Sequence, residues 1–235
     1  MDVTPAGWTF LVLVTVFLPY AAIRGAQRAR ESSQAPTRGQ YFASFLFGQG
    51  LGLFTALAAA HYEWIELFPA PSLGPRNAWI ALAFLLPTVG TLPIRWRWRS
   101  VAEKRRMMWL LPNRTRDLAW WMFVALIAGV VEEIVFRGVM FTLWVRVLDS
   151  WWPAVIVCSV AFALSHFMQG WRAVLVIVVM AIGNHWIVRA TGDLYTAMAV
   201  HFAYDLIAGI VLLRLARRDG IAREEGASEQ AETAR

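Results

Sequence analysis

From Trp120 to Val147 the chain reads as one apolar run, yet its middle carries Glu132-Glu133-Ile134-Val135-Phe136-Arg137. About 20 apolar residues cross the hydrocarbon core of a bilayer, so this run is long enough to span it. A charge at that depth costs at least a few kcal/mol and by default marks a functional site. Three charges within six residues sharpen the inference. Glu133 and Arg137 stand four apart, one turn along a helix, where they can pair. Glu132 lies about 100° round the helix from Glu133 and is free to face a different neighbour.

The 235 residues are 58% hydrophobic, with a mean hydropathy of +0.50 and 13 Trp. Soluble domains hold about 45–50% apolar residues, so the composition describes an all-α, polytopic membrane bundle. A net charge of +6 and a pI near 10.2 raise the question of nucleic acid. The basic residues, however, cluster in segments between apolar runs, the pattern of membrane topology, so no nucleic-acid partner is expected. Cys158 is the single cysteine. It excludes a disulfide framework and a cysteine zinc cluster, and reads as a small core residue.

Apolar stretches mark spans at Trp8 to Ile23, Tyr41 to Ala60, Ala78 to Ile94, Leu118 to Leu148, Pro153 to Phe167, Ala173 to Ile187 and Leu194 to Leu215. That makes about seven helices, or eight if Arg95–Asp117 or the His61 region dips into the bilayer. Pro87 and Pro93 should kink the third. Gly48-Gln49-Gly50-Leu51-Gly52 has no surrounding βαβ unit and reads as close helix packing rather than a nucleotide loop. Arg95–Asp117, rich in Arg with interleaved Trp, suggests an interfacial helix. The segment from His61 to Asn77, with Glu63 and Glu66, belongs outside. Basic loops after spans one, three and seven give an external N-terminus and a cytoplasmic C-terminus in the plasma (inner) membrane. The domain reading is 1–117 for N-terminal helices and a basic loop, 118–215 for a catalytic core, and 216–235 for a disordered polar tail.

The polar residues inside the C-terminal spans are Glu132, Glu133, Arg137, His166, Asn184, His185, His201 and Asp205. His201 and Asp205 are one turn apart, so Asp205 can accept a ring N–H and fix the tautomer. Phe162 lies one turn before His166 on the same face. These groups suit hydrolysis: a carboxylate as general base toward water, with imidazoles polarising a carbonyl. A Glu/His/His set could instead bind zinc, although His-Glu-x-x-His is absent. No credible serine nucleophile appears, and Ser165 points away from His166. Sequence boundaries put His166 near one side of the membrane and His201 near the other, about 10–15 Å apart in height at ~1.5 Å per residue. Tilt or a broken helix must close that gap.

Glu132-Glu133-x-x-x-Arg137, then Phe162-x-x-x-His166, then His201-x-x-x-Asp205 resemble, in order, the motifs of the CPBP intramembrane proteases, also called the CAAX prenyl protease 2 or Abi family. The resemblance covers about Leu118 to Leu213; the first hundred residues resemble nothing specific. It implies an intramembrane endopeptidase acting on a peptide or membrane-anchored protein. Glu132 would activate water with help from His166. His201 and Asp205 would form the oxyanion or orienting pair. Glu133 and Arg137 would hold the helix or contact substrate, with Phe162 in support. No cofactor is required on this reading; were zinc bound, Glu132, His166 and His201 would be its ligands. Asn184 and His185 read as packing or substrate-path residues. Two other readings stand beside it: a non-catalytic immunity or scaffold protein of the same family, and a proton-coupled transporter, which the lack of an internal repeat disfavours.

Overall fold

The computed structural model describes residues 3–31, 38–71, 74–112, 115 and 117–222. Pro5–Val12, the π-helical Leu13–Phe17 and Leu18–Glu31 run on as α1. Thr4 caps it, its hydroxyl accepting from the Gly7 N–H, with Pro5 at the first position. Next come α2 (Arg38–Tyr62), α3 (Pro75–Gly90), α4 (Leu92–Arg97) and α5 (Val101–Leu110). Asp117–Glu133, the π-helical Ile134–Met140 and Phe141–Leu148 form the long helix α6. Three more follow: α7 (Trp151–Ser165), α8 (Trp171–Thr191) and α9 (Tyr195–Arg218). Six helical stretches are long and apolar enough to cross a membrane, α3 and α4 together making one, and α7 is a shorter apolar helix. The chain is thus an integral membrane helix bundle, as its composition demands.

The third span breaks at Thr91, with Pro87 inside α3 and Pro93 in the first turn of α4. Each proline withholds a backbone N–H from the helical ladder. Within the basic stretch 95–117 lies α5, opened by a capping box between Ser100 and Glu103. Parts of the basic loops (32–37, 113–114 and 116) and the tail from 223 lie outside the described residues. Helix α9 itself continues to Arg218, past the expected start of that tail.

Polar clasps fix both ends of the bundle. At the end called upper here, Glu63 accepts from the Thr4 backbone N–H at 2.7 Å and from the Thr4 hydroxyl at 2.6 Å. Its other oxygen pairs with Arg146 at 3.0 Å. Glu63, just past the end of α2, is buried and ties α1, α2 and α6 together. At the lower end, Asp219 accepts from Lys104 at 2.8 Å and from the Trp96 indole at 2.9 Å. These hydrogen bonds, from Lys104 above all and then from Trp96, hold the Asp219 carboxyl down at about 2.

Two large apolar clusters fill the interior, beside a smaller one of Ile187, Ala197 and Val200. The upper one packs Phe10, Leu11 and Val14 of α1 and Ala56, Ala59 and Ala60 of α2 against the π-helical stretch of α6. The lower one joins Leu92, Trp96 and Met108 to Leu212 and Leu213. Along α9, Met198 belongs to the upper cluster and Ala208 to the lower. The polar residues His201 and Asp205 fall at the seam between them.

Candidate active site

Helix α6 brings two neighbouring carboxylates to that seam and its geometry sends them in different directions. Glu133 points into the protein and is fully buried. Its Oε1 accepts from Arg137 at 3.0 Å, from Asn184 of α8 at 3.2 Å, and from His201 Nδ1 of α9 at 2.8 Å. Three donors on one oxygen are what make a buried anion tolerable at this depth. The expected Glu133–Arg137 pairing is therefore present, with two further partners.

Glu132 faces the cleft. Its Oε1 accepts from the side chain of Gln49, on α2, at 2.8 Å. Its Oε2 is buried and has no hydrogen-bond partner in the protein. That oxygen lies 3.7 Å from His166 Nε2 and 3.8 Å from His201 Nε2. Both separations are too long for direct hydrogen bonds and short enough for one water to touch all three groups.

The imidazole tautomers follow from what their other nitrogens meet. His166 closes α7, and its Nδ1 lies 2.8 Å from the Phe162 carbonyl oxygen. A carbonyl only accepts, so Nδ1 carries hydrogen and Nε2 faces Glu132. Ser165 donates its hydroxyl to the same carbonyl at 2.6 Å, and, contrary to the expectation that it points away, its Oγ lies 3.2 Å from His166 Nδ1, close enough to accept a share of that N–H. For His201, the carboxylate of Glu133 fixes hydrogen on Nδ1 in the same way, and Nε2 again faces the cleft.

This corrects one expectation. The ring N–H of His201 was assigned to Asp205, one turn away. Asp205 Oδ2 instead stands 3.6 Å from Nε2, and the orienting acceptor is Glu133. A carboxylate arriving from another helix meets Nδ1 at hydrogen-bond distance; the local partner does not. Asp205 lines the cleft, while its backbone carbonyl accepts from the Trp121 indole at 2.8 Å.

Phe162 forms the floor. The Arg137 guanidinium lies 4.5 Å over its ring, the His166 ring sits 4.6 Å away at a 55° tilt, and Phe136 meets it edge-on at 4.9 Å. A guanidinium over an aromatic face is attracted to its quadrupole. All seven motif residues, Glu132, Glu133, Arg137, Phe162, His166, His201 and Asp205, thus come together in one connected cluster. His185 does not join them: it is buried against Phe141, ring centroids 4.8 Å apart.

The height mismatch between His166 and His201 disappears for a reason in the helix lengths. Counting back from Leu148, Glu132 lies sixteen residues in, ~24 Å, and His166 lies fifteen residues from Trp151, ~22 Å. His201 is only seven residues from Leu194, but Leu194 is buried and packs on Gly138, where a Cβ would meet its Cδ1 at 3.2 Å. Gly138 is itself ten residues in from Leu148, so His201 lies about 25 Å down. The turn between α8 and α9 is carried by Gly192 at φ +78°, an exposed residue flanked by buried Thr191 and Asp193.

Two residues outside the motifs join the site. Asn184, read as packing or substrate path, binds Glu133. Gln49 escaped notice because the glycines around it suggested packing. That packing reading fails: a Cβ at Gly48 or Gly50 would meet nothing within 4 Å, and Gly52 alone touches α6, at Val135. A polar side chain within an apolar span was the available signal for Gln49.

For zinc, the donors would be Glu132, His166 and His201. Among the described residues, no group of three or more His, Cys, Asp or Glu side chains is arranged to hold a metal ion. Residues 114–207 match the family profile described as type II CAAX prenyl endopeptidase, Rce1-like. No curated protein and no solved structure matches the chain.

Proposed function

We propose, on the match of residues 114–207 to the Rce1-like type II CAAX prenyl endopeptidase family, that the chain is a protease of that kind and hydrolyses a peptide bond of a membrane-anchored substrate by a glutamate-activated water. The endopeptidase class comes with the family; the roles below are this chain's own residues read through their geometry. One observation carries them: Glu132 Oε2 sits unpaired between two imidazole Nε2 atoms at 3.7 and 3.8 Å.

In this mechanism, Glu132 Oε2 takes a proton from a water held against His166 Nε2. The water oxygen bonds to the carbonyl carbon, and the carbonyl oxygen gains the negative charge. His201, held through its Nδ1–H by Glu133 and balanced as an imidazolium by Asp205, donates its Nε2–H to that charge. The C–N bond then breaks, and the proton on Glu132 passes to the leaving nitrogen. Arg137, Asn184 and Phe162 keep Glu133 and the two rings in place. No step uses a metal.

The substrate is a peptide segment presented within the bilayer; the family description names prenylated CAAX tails, and we extend that substrate class to this chain as a proposal. The protein would work in the plasma (inner) membrane with its upper, N-terminal end outside. The lower end, with Arg95, Arg97, Arg99 and Lys104, would face the cytoplasm, as the positive-inside rule requires.

The test is cleavage of lipidated and unlipidated membrane peptides by the purified protein in nanodiscs. Glu132→Ala, His166→Ala and His201→Ala should each abolish turnover while inserting and folding normally, and a chelator should leave wild-type turnover unchanged. Activity retained by any one variant removes that residue from the mechanism. Loss of activity on chelation, restored by zinc, overturns the metal-free chemistry.

A further inference from the structure

Gln49 comes from the half of the chain that no motif covers, yet its carboxamide touches the proposed general base. The contact runs 2.8 Å from Gln49 Nε2 to Glu132 Oε1. An ionised carboxylate only accepts, so the carboxamide must present its NH2 side. Occupying Oε1 leaves Oε2 as the oxygen aimed at His166 and His201. A freely rotating carboxylate would instead share its two oxygens between cleft and neighbours.

The height of Gln49 is itself set by a second contact. Helices α2 and α6 both rise toward the upper end, and two polar bridges link them. Gln49 meets Glu132; fourteen residues further along each helix, Glu63 meets Arg146 at 3.0 Å. Fourteen residues are close to four turns, about 21 Å, so both bridges fall on facing sides. Elsewhere α2 presents Phe47, Leu51 and Phe54 outward, consistent with a helix facing lipid along most of its length.

We infer that Gln49 is a positioning residue for the hydrolysis, holding Oε1 of Glu132 so that Oε2 faces the reacting water. The inference rests on the hydrolytic reading above. A hydrogen bond to a charged group is worth about 1.5–3 kcal/mol, so its loss from a catalytic orientation should lower turnover roughly 10- to 100-fold.

The experiment compares wild type with Gln49→Met, of similar shape but without the N–H, and Gln49→Glu, of similar shape with an acceptor in its place. Steady-state kinetics on one cleaved peptide should show Gln49→Met losing 10- to 100-fold in kcat with KM within about twofold. Gln49→Glu should lose at least as much at neutral pH and recover part of it on acidification. There one of the two facing carboxyls binds a proton and becomes a donor. A merely structural role would reduce the amount of folded protein and leave kcat per folded molecule and its pH profile alone. Should Gln49→Met not accumulate, Gln49→Asn, one methylene short, carries the same expectation. Wild-type kcat in Gln49→Met overturns this inference and leaves the protease reading standing. A wild-type protein that cleaves nothing defeats the hydrolytic reading and takes this inference with it.

Discussion

Glu132 and Glu133 are chemically identical neighbours, and the structure assigns them opposite consequences on loss of charge. In Glu133→Gln, the Arg137 guanidinium, 2% exposed, loses the carboxylate it pairs with. Removing one partner of a buried ion pair costs about 3–5 kcal/mol, because the other charge stays buried without compensation. At roughly 2–4 °C per kcal/mol for a chain of this size, the unfolding midpoint should fall by ~6–20 °C. In Glu132→Gln the shape is kept, and the new carboxamide oxygen can still accept from Gln49. No guanidinium is orphaned, and the stability cost should stay below ~1 kcal/mol, a few degrees at most.

Activity should sort the other way. Glu132→Gln removes the group that takes the water's proton, and general-base catalysis is commonly worth 10²–10⁴-fold. Glu133→Gln keeps an oxygen acceptor for His201 Nδ1, so the fraction that folds should retain measurable turnover. Differential scanning fluorimetry in detergent, with turnover normalised to folded protein, reads both quantities on the same samples. A midpoint for Glu132→Gln as low as that of Glu133→Gln would refute the division into a cleft-facing base and a buried anchor. So would an unchanged midpoint for Glu133→Gln.

Two further outcomes follow from other contacts. A Cβ at Gly129 would lie 2.8 Å from the Phe202 backbone nitrogen and 3.1 Å from its Cα, and backbone cannot step aside. Gly129→Ala should therefore push α6 from α9, costing about 1–3 kcal/mol and lowering kcat at least tenfold, whereas Gly48→Ala, in open space, should change neither. At the lower end, the Asp219 carboxyl sits at about 2, below its ordinary 3.8, so its contribution is present above pH 4 and lost as pH falls from about 4 toward 2. Hydrogen exchange of Leu92–Leu111 and of Arg217–Ala222 should quicken across that window in wild type, and Asp219→Asn should flatten the response.

The motif residues were legible because a bilayer makes every charged or imidazole side chain conspicuous: Glu132, His166 and His201 could be picked out with no knowledge of packing. The span count followed from hydropathy for the same reason. Partner choice was less legible. The spacing of His201 and Asp205 advertises a local pair, but the contact made by Nδ1 comes from Glu133, some 68 residues away in sequence. Sequence spacing sees i and i+4; it does not see a carboxylate delivered by an antiparallel helix. Gln49 was hidden by its glycine surroundings, and Glu63 by lying where a loop was expected. In both cases the side chain's partner, on α6, decides its role.

The depth of the site has a similar origin and a consequence for substrate access. Helix α7 stops after 15 residues, ~22 Å, short of a full ~30 Å crossing, so His166 caps it within the bilayer rather than beyond it. Glu132 is sixteen residues from the upper end of α6 and fifteen from Asp117. Counted along α6 and α7, Glu132 and His166 lie ~22–24 Å from the upper helix ends, and His201 meets them there. A scissile bond must be brought to that depth. The wall supplying Gln49 is α2, whose Gly48 and Gly50 carry no side chain and are exposed on the bundle surface beside it. A peptide arriving laterally through the membrane would meet the cleft beside Gln49, so the residue that orients the base would also stand at the edge the substrate crosses.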